Sequence, residues 1–146
     1  MKRAGKIGLA TVLLLVCSLM ALAREETVQE LKAKAESANA SDRAKLALEI
    51  ARRQLDAADK AYTAGQVREA QTLLADVVTY AQKAGDAARK ARKHIKRTEI
   101  EVRKMSRRLQ EIKPNLEIDN REPVQDAINH LEHVRTELLM DMFSER

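Results

Sequence analysis

The stretch VREAQTLLADVVTYAQKAGDAARKARKHIKRTEIEVRKMSRRLQEI, residues 67–112, decides the fold, because apolar residues recur through it every seven positions. One series runs Val67, Leu74, Ala81, Ala88, Ile95, Val102 and Leu109. The other runs Ala70, Val77, Ala84, Ala91, Thr98, Met105 and Ile112, and Thr98 is its one polar member. Seven residues are close to two turns of α-helix, so both series fall on one stripe, and a stripe kept over so many turns marks coiled-coil-like packing. Gly85 lies within the run and costs roughly 1 kcal/mol relative to alanine, yet the register is the same on both sides of it. The sequence therefore predicts one continuous helix over about residues 66–113. At 1.5 Å per residue it would be on the order of 70 Å long, a spine for shorter helices to pack against.

Those shorter helices are marked on either side. Downstream, Pro114 stops the spine, Asp119 and Glu122 have the spacing of a capping pair, and Pro123 sits in a first helical turn where its missing amide does no harm. Residues 121–143 then place Val124, Ala127, Ile128, Leu131, Val134, Leu138 and Met142 on one face. Upstream, residues 24–40 form a weak helix or arm through Val28, Leu31, Ala35 and Ala38, and capping residues at 39–42 interrupt it. A helix over residues 42–64 presents Leu48, Ala51, Leu55, Ala58 and Tyr62, and Gly65 ends it in the left-handed conformation. So short a connection sends the next helix back antiparallel. The expectation is an all-α, elongated antiparallel helical bundle in a single domain, residues 24–146. Composition agrees, with 34% charged residues, 2% aromatic, four Gly, two Pro and no Trp. So few large side chains leave little with which to line a deep cavity; no small-molecule substrate is evident and no cofactor is expected.

Ala58, Gly65, Ala70 and Leu74, within a segment containing AYTAGQVREAQTLL, fall at the spacing of the small, glycine, alanine and large positions of one hairpin. This segment, about residues 51–84, resembles a single tetratricopeptide unit. Val77 stands where alanine is usual and Gln82 where the closing proline is expected. No second copy follows, so the resemblance implies one such hairpin and not a solenoid, together with the protein-binding role that these hairpins often have.

The N-terminus gives an address. Lys2, Arg3 and Lys6 precede a nearly unbroken apolar run over residues 7–22, and Ala21, Leu22 and Ala23 form a small-x-small cleavage pattern. Residues 1–23 read as a signal peptide cleaved after Ala23, leaving a periplasmic or secreted protein. The alternative is an uncleaved membrane anchor with the body outside the cytoplasm, but the run is shorter than the roughly 20 residues that span a bilayer. Cys17 lies inside the leader, so the remainder carries no cysteine, which excludes disulfides and thiolate chemistry there.

Charge is unevenly placed. Residues 86–113 hold eleven Lys or Arg against four acids, residues 114–146 hold eight acids against three Arg, and residues 24–85 balance. The basic face comprises Arg89, Lys90, Lys93, Lys96, Arg97, Arg103, Lys104 and Arg107, with Arg92 and Arg108 beside them. Its sign suits an anionic envelope surface, while the acidic last helix offers pairing within the chain. Export and the lack of aromatic stacking residues in the run argue against nucleic acid.

Two further groups stand out. His130, His133 and Glu137 share a helical stripe at spacings that permit a divalent metal, without matching a zinc-enzyme motif, and solvent-facing polar residues are the plainer reading. Leu73, Val78 and Tyr80 widen the apolar stripe in the first half of the spine. They predict either a partner-binding or self-association surface, or a face covered by residues 24–38 or the preceding hairpin helix. No nucleophile lies beside a base, and no glycine-rich phosphate loop is present. The functional expectation is an exported, non-enzymatic interaction or scaffold protein of the cell envelope acting through protein contacts. A periplasmic holdase-like chaperone is the alternative, and a metal-responsive helical protein a third.

Overall fold

A computed structural model describes residues 25–144 of the chain. The leader, its cleavage point after Ala23 and Cys17 lie outside the described residues. Every regular element among those described is helical: α1 Val28–Ser37, α2 Ala40–Thr63, α3 Val67–Ala91, α4 Ile95–Ile112 and α5 Arg121–Ser144, with 3-10 turns at Lys113–Asn115 and Ile118–Asn120 between the last two. The chain is an all-α bundle.

Local chemistry sets the helix ends. Thr27 and Glu30 form a capping box at the start of α1. Asn39 caps α2 by accepting from the Asp42 amide at 3.0 Å. Between them the Arg43 guanidinium donates to the carbonyls of Ala35, Glu36 and Ala38, satisfying acceptors that the end of α1 leaves open. Gly65, at φ 75°, closes α2 with a paired motif in which the Gln66 amide donates to Ala61 and the Gly65 amide to Tyr62. Asp119 and Glu122 do not form the expected cap. Arg121 holds that junction by donating to the Pro114 and Leu116 carbonyls.

The continuous spine over 66–113 is corrected by the structure: it is two helices, and they run in opposite directions. Arg135 of α5 reaches Glu99 of α4, Ser106 reaches Glu132, and Lys113 reaches Gln125, so numbering falls along α4 as it rises along α5. On α3, Gly85 lies against Val134 and Arg89 pairs with Glu137 and Asp141, so those two helices run in parallel. The hairpin α2–α3, the most extensive interface, is antiparallel to match. Helices α2–α5 thus form an up-down-up-down four-helix bundle, with α1 laid chiefly on α2.

The reversal falls at Arg92–His94, not at Gly85. Here the amides of Arg92 and Lys93 donate to the Arg89 and Ala88 carbonyls, repeating at arginine the closure that Gly65 makes. Arg92 (φ 51°) and His94 (φ 65°) are both left-handed, at roughly 1–2 kcal/mol each for residues with a Cβ. Burial outweighs that strain. Leu74, Val77, Val102, Met105, Leu109 and Ile112 from the two halves of the stripe join one core, and each large apolar side chain contributes about 1.5–3 kcal/mol when removed from water. A straight helix would leave much of that stripe wet. Gly85 instead serves close packing, because a Cβ there would meet Val134 Cγ1 at 3.0 Å.

Two stability measurements check this arrangement. In urea melts Arg92→Gly should raise the unfolding free energy, by up to roughly 1 kcal/mol after the unfolded-state entropy of glycine is counted, while Gly85→Val should lower it. A chain with a continuous helix would show Arg92→Gly as destabilising. Thr98 is fully buried, and its hydroxyl has no hydrogen-bond partner among the described residues. Thr98→Val should therefore stabilise by about 1 kcal/mol in the same assay.

Candidate functional site

The strained turn stands at one end of the bundle, within a dense cluster of basic side chains. It is fixed from beneath: Ser41 Oγ lies 3.1 Å from His94 Nε2, and Ile95 packs on the small cluster Ala44, Ala87 and Ala88. Around it stand Lys90, Arg92, Lys93, Lys96 and Arg97, all with appreciable exposure and none in an ion pair among the described residues. The first turn of α4 carries no acid, and His94 supplies no side-chain cap, so Lys96 and Arg97 sit at the helix end that ordinarily favours negative charge.

The C-terminal turn of α5 arrives beside these cations. A groove of about 620 Å³ opens between the two helices, lined by Arg92, Ile95, Lys96, Ile100, Met142 and Phe143, with Glu99 and Arg103 completing it. Glu99 is buried, and its charge is answered by Arg135 at 2.8 Å and Arg103 at 3.8 Å. The groove therefore has an apolar floor and a cationic rim. Met140 and Phe143, on the same terminal turn, are 65% and 63% exposed. Apolar residues at 138–140 and 142–143 cover more than one face of α5, the sequence signal for this surface.

The rest of the basic face divides. Arg89 pairs with Asp86 on its own helix and with the α5 acids, Lys104 with Glu101 on its own helix, and Arg108 with Asp59 of α2 at 2.5 Å. Arg107 is exposed near Glu132. The acidic last helix thus neutralises little of the basic face directly, and its own Arg135 serves the acid on α4.

The widened stripe is largely used inside the chain. Tyr80 is 8% exposed, with the ammonium groups of Lys32 from α1 and Lys83 lying 5.2 and 5.0 Å from its ring centre. Lys32 also bonds Asp76 at 2.6 Å, which anchors α1 over this region. Leu73 and Val78 are half-buried against the core, Val78 in a shallow groove shared with Pro123, Ala127 and His130 of α5. The three metal candidates are not brought together. His130 turns back to the Asp126 carbonyl, His133 lies 3.6 Å from Glu137, and no group of three potential ligands converges among the described residues.

A polar layer ties α4 to α5. Ser106 Oγ donates to Glu132 at 2.7 Å, and Arg135 bridges Glu132 and Glu99. The Ser106 bond, with further help from Arg135, holds the Glu132 carboxyl below the ordinary glutamate range despite partial burial. Compared with protein-family models, curated proteins and solved structures, the chain matches none of them.

Because the Glu132 pKa is lower in the folded state, its stabilising contribution is present above the unfolded value and is lost as pH falls through the folded one. Urea titrations stepped down through the acidic range should therefore show falling stability. Ser106→Ala should flatten that acid limb; an unchanged slope would remove the bond as its cause.

Proposed function

We propose that this chain is an exported, non-enzymatic helical interaction module of the cell envelope, and that it docks an anionic partner on its basic end. The observation that carries the reading is the groove at the Arg92–His94 turn, where an apolar floor meets cations that form no ion pair among the described residues. Charged rims of this kind guide and orient association, while the apolar floor supplies affinity. The leader-like residues 1–23 and the tetratricopeptide-like hairpin point the same way, toward export and protein contact. No helix among the described residues is long and apolar enough to cross a membrane.

A holdase would need a broad apolar cleft. The large apolar residues strongly exposed among those described are Ile118, Met140 and Phe143, set at the ends of the bundle. That supports a defined docking site over a general client surface.

Expressed in cells as the full chain with a photo-crosslinker at Lys96, the protein should give discrete adducts that disappear on Arg92→Glu with Arg97→Glu. The exposed position Gln110 should give none. Equal labelling from both positions, or suppression of aggregation of unrelated clients, would overturn the docking role. N-terminal sequencing of the exported pool should begin at Arg24, and an intact Met1 there would overturn cleavage.

A further inference from the structure

We infer that the occupant of the basic groove is a second copy of this chain, which inserts its Glu117–Ile118–Asp119 corner so that copies associate head to tail. The inference rests on reading the groove as a docking surface and names its partner.

The corner has the complementary shape and charge. Ile118 is 78% exposed, the most exposed large apolar side chain described, and exposed carboxylates flank it at Glu117 and Asp119. Neither carboxylate enters an ion pair among the described residues, and the nearest cation in sequence, Arg121, is turned to the Pro114 and Leu116 carbonyls. The corner is also ordered in advance. The Leu116 amide donates to Lys113 and the Asn120 amide to Glu117, at 3.2 and 3.0 Å, so the knob is presented by two tight turns. A preformed knob loses less freedom on docking than a flexible tail would.

The groove offers what the corner lacks. Ile95, Ile100, Met142 and Phe143 would receive the Ile118 side chain, while Arg92, Lys96 and Arg103 would meet the two carboxylates. Glu99, the one acid among the described lining residues, is already held by Arg135 and Arg103. Within one chain the two surfaces cannot meet. The 18 residues of α4 separate them, about 27 Å at the helical rise. Each copy has one knob and one groove at opposite ends, so stacked head to tail the contact is heterologous and propagates into open chains or closes into a ring, whereas a side-by-side antiparallel pair would satisfy both surfaces at once and stop at a dimer. The opposed charges of residues 86–113 and 114–146, only partly paired inside the bundle, then act between copies.

Sedimentation velocity over a wide concentration range tests this on the purified protein. The unsubstituted chain should form species beyond the dimer, with association weakening in high salt. Ile118→Glu should weaken association about tenfold or more, as should Arg92→Glu with Lys96→Glu, both with unchanged circular dichroism. The decisive arm mixes these two variants. One retains a groove and the other a knob, so two chains that are monomeric alone should combine as a 1:1 dimer and grow no further. A protein that stays monomeric at every concentration, or association indifferent to Ile118→Glu, overturns the inference. Should that monomer still bind an acidic peptide or vesicles of anionic lipid through Arg92 and Lys96, the groove remains a docking site and self-association alone is lost.

Discussion

Burial of a seven-residue apolar repeat against itself is the constraint from which the rest of this structure follows. Neither half of the repeat can remove its stripe from water alone, and in a single straight helix the two halves could not cover each other. Reversing the chain at Arg92–His94 brings both halves into one core with Ile50, Leu131 and Leu138. Two strained residues cost a few kcal/mol at most, and several buried side chains exceed that. The turn is therefore maintained by packing on both sides of it and by its seat on Ser41 and Ala44, not by its own propensity.

The same folding-back decides where charge can go. A long helix with one basic half could place its cations along a rod. In the bundle, those on the flanks find partners, as Arg89 does on α5 and Arg108 on α2, whereas those at the turn form no ion pair among the described residues. The α2–α4 side is the sparsest contact among neighbouring helices of the ring. Its grooves are lined by opposite charges, among them Arg52, Asp56, Glu101 and Lys104, which answer one another along a solvated seam.

Much of the fold was legible because it rests on periodicity. The stripe residues Ala70, Leu74, Val77, Ala81, Ala84, Ala88, Val102, Met105, Leu109 and Ile112 are all buried, and Gly65 closes α2 as its type suggests. The reversal was hidden for a specific reason: Arg92, Lys93 and His94 occupy three places between the stripe positions 91 and 95, so the count of seven passes through the turn undisturbed. No glycine or proline marks it. The glycine that is present, Gly85, was recruited for contact with Val134, a requirement set by tertiary structure. For the site, the basic residues were visible in the sequence but their exposure was not. The groove depends on α5 ending beside the turn, a proximity that no local pattern encodes. Tyr80 shows the converse: its place on the stripe was readable, while its cover by Lys32 came from the docking of α1.

A four-helix bundle that satisfies its own sides has its ends left for interaction. Along the flanks, apolar stripes face inward and ion pairs link neighbours, so a partner would have to displace contacts already made. At the ends the chain must turn, and turns expose what packing cannot absorb: left-handed arginine and histidine at one end, an isoleucine between two carboxylates at the other. Neither feature helps the bundle fold. Cations at the start of α4 oppose its dipole, and an exposed isoleucine contributes nothing to the core. Placed at opposite ends with opposite charge, the two make local sacrifices that are compatible with the stability of one copy, and the proposed contact between copies would relieve both.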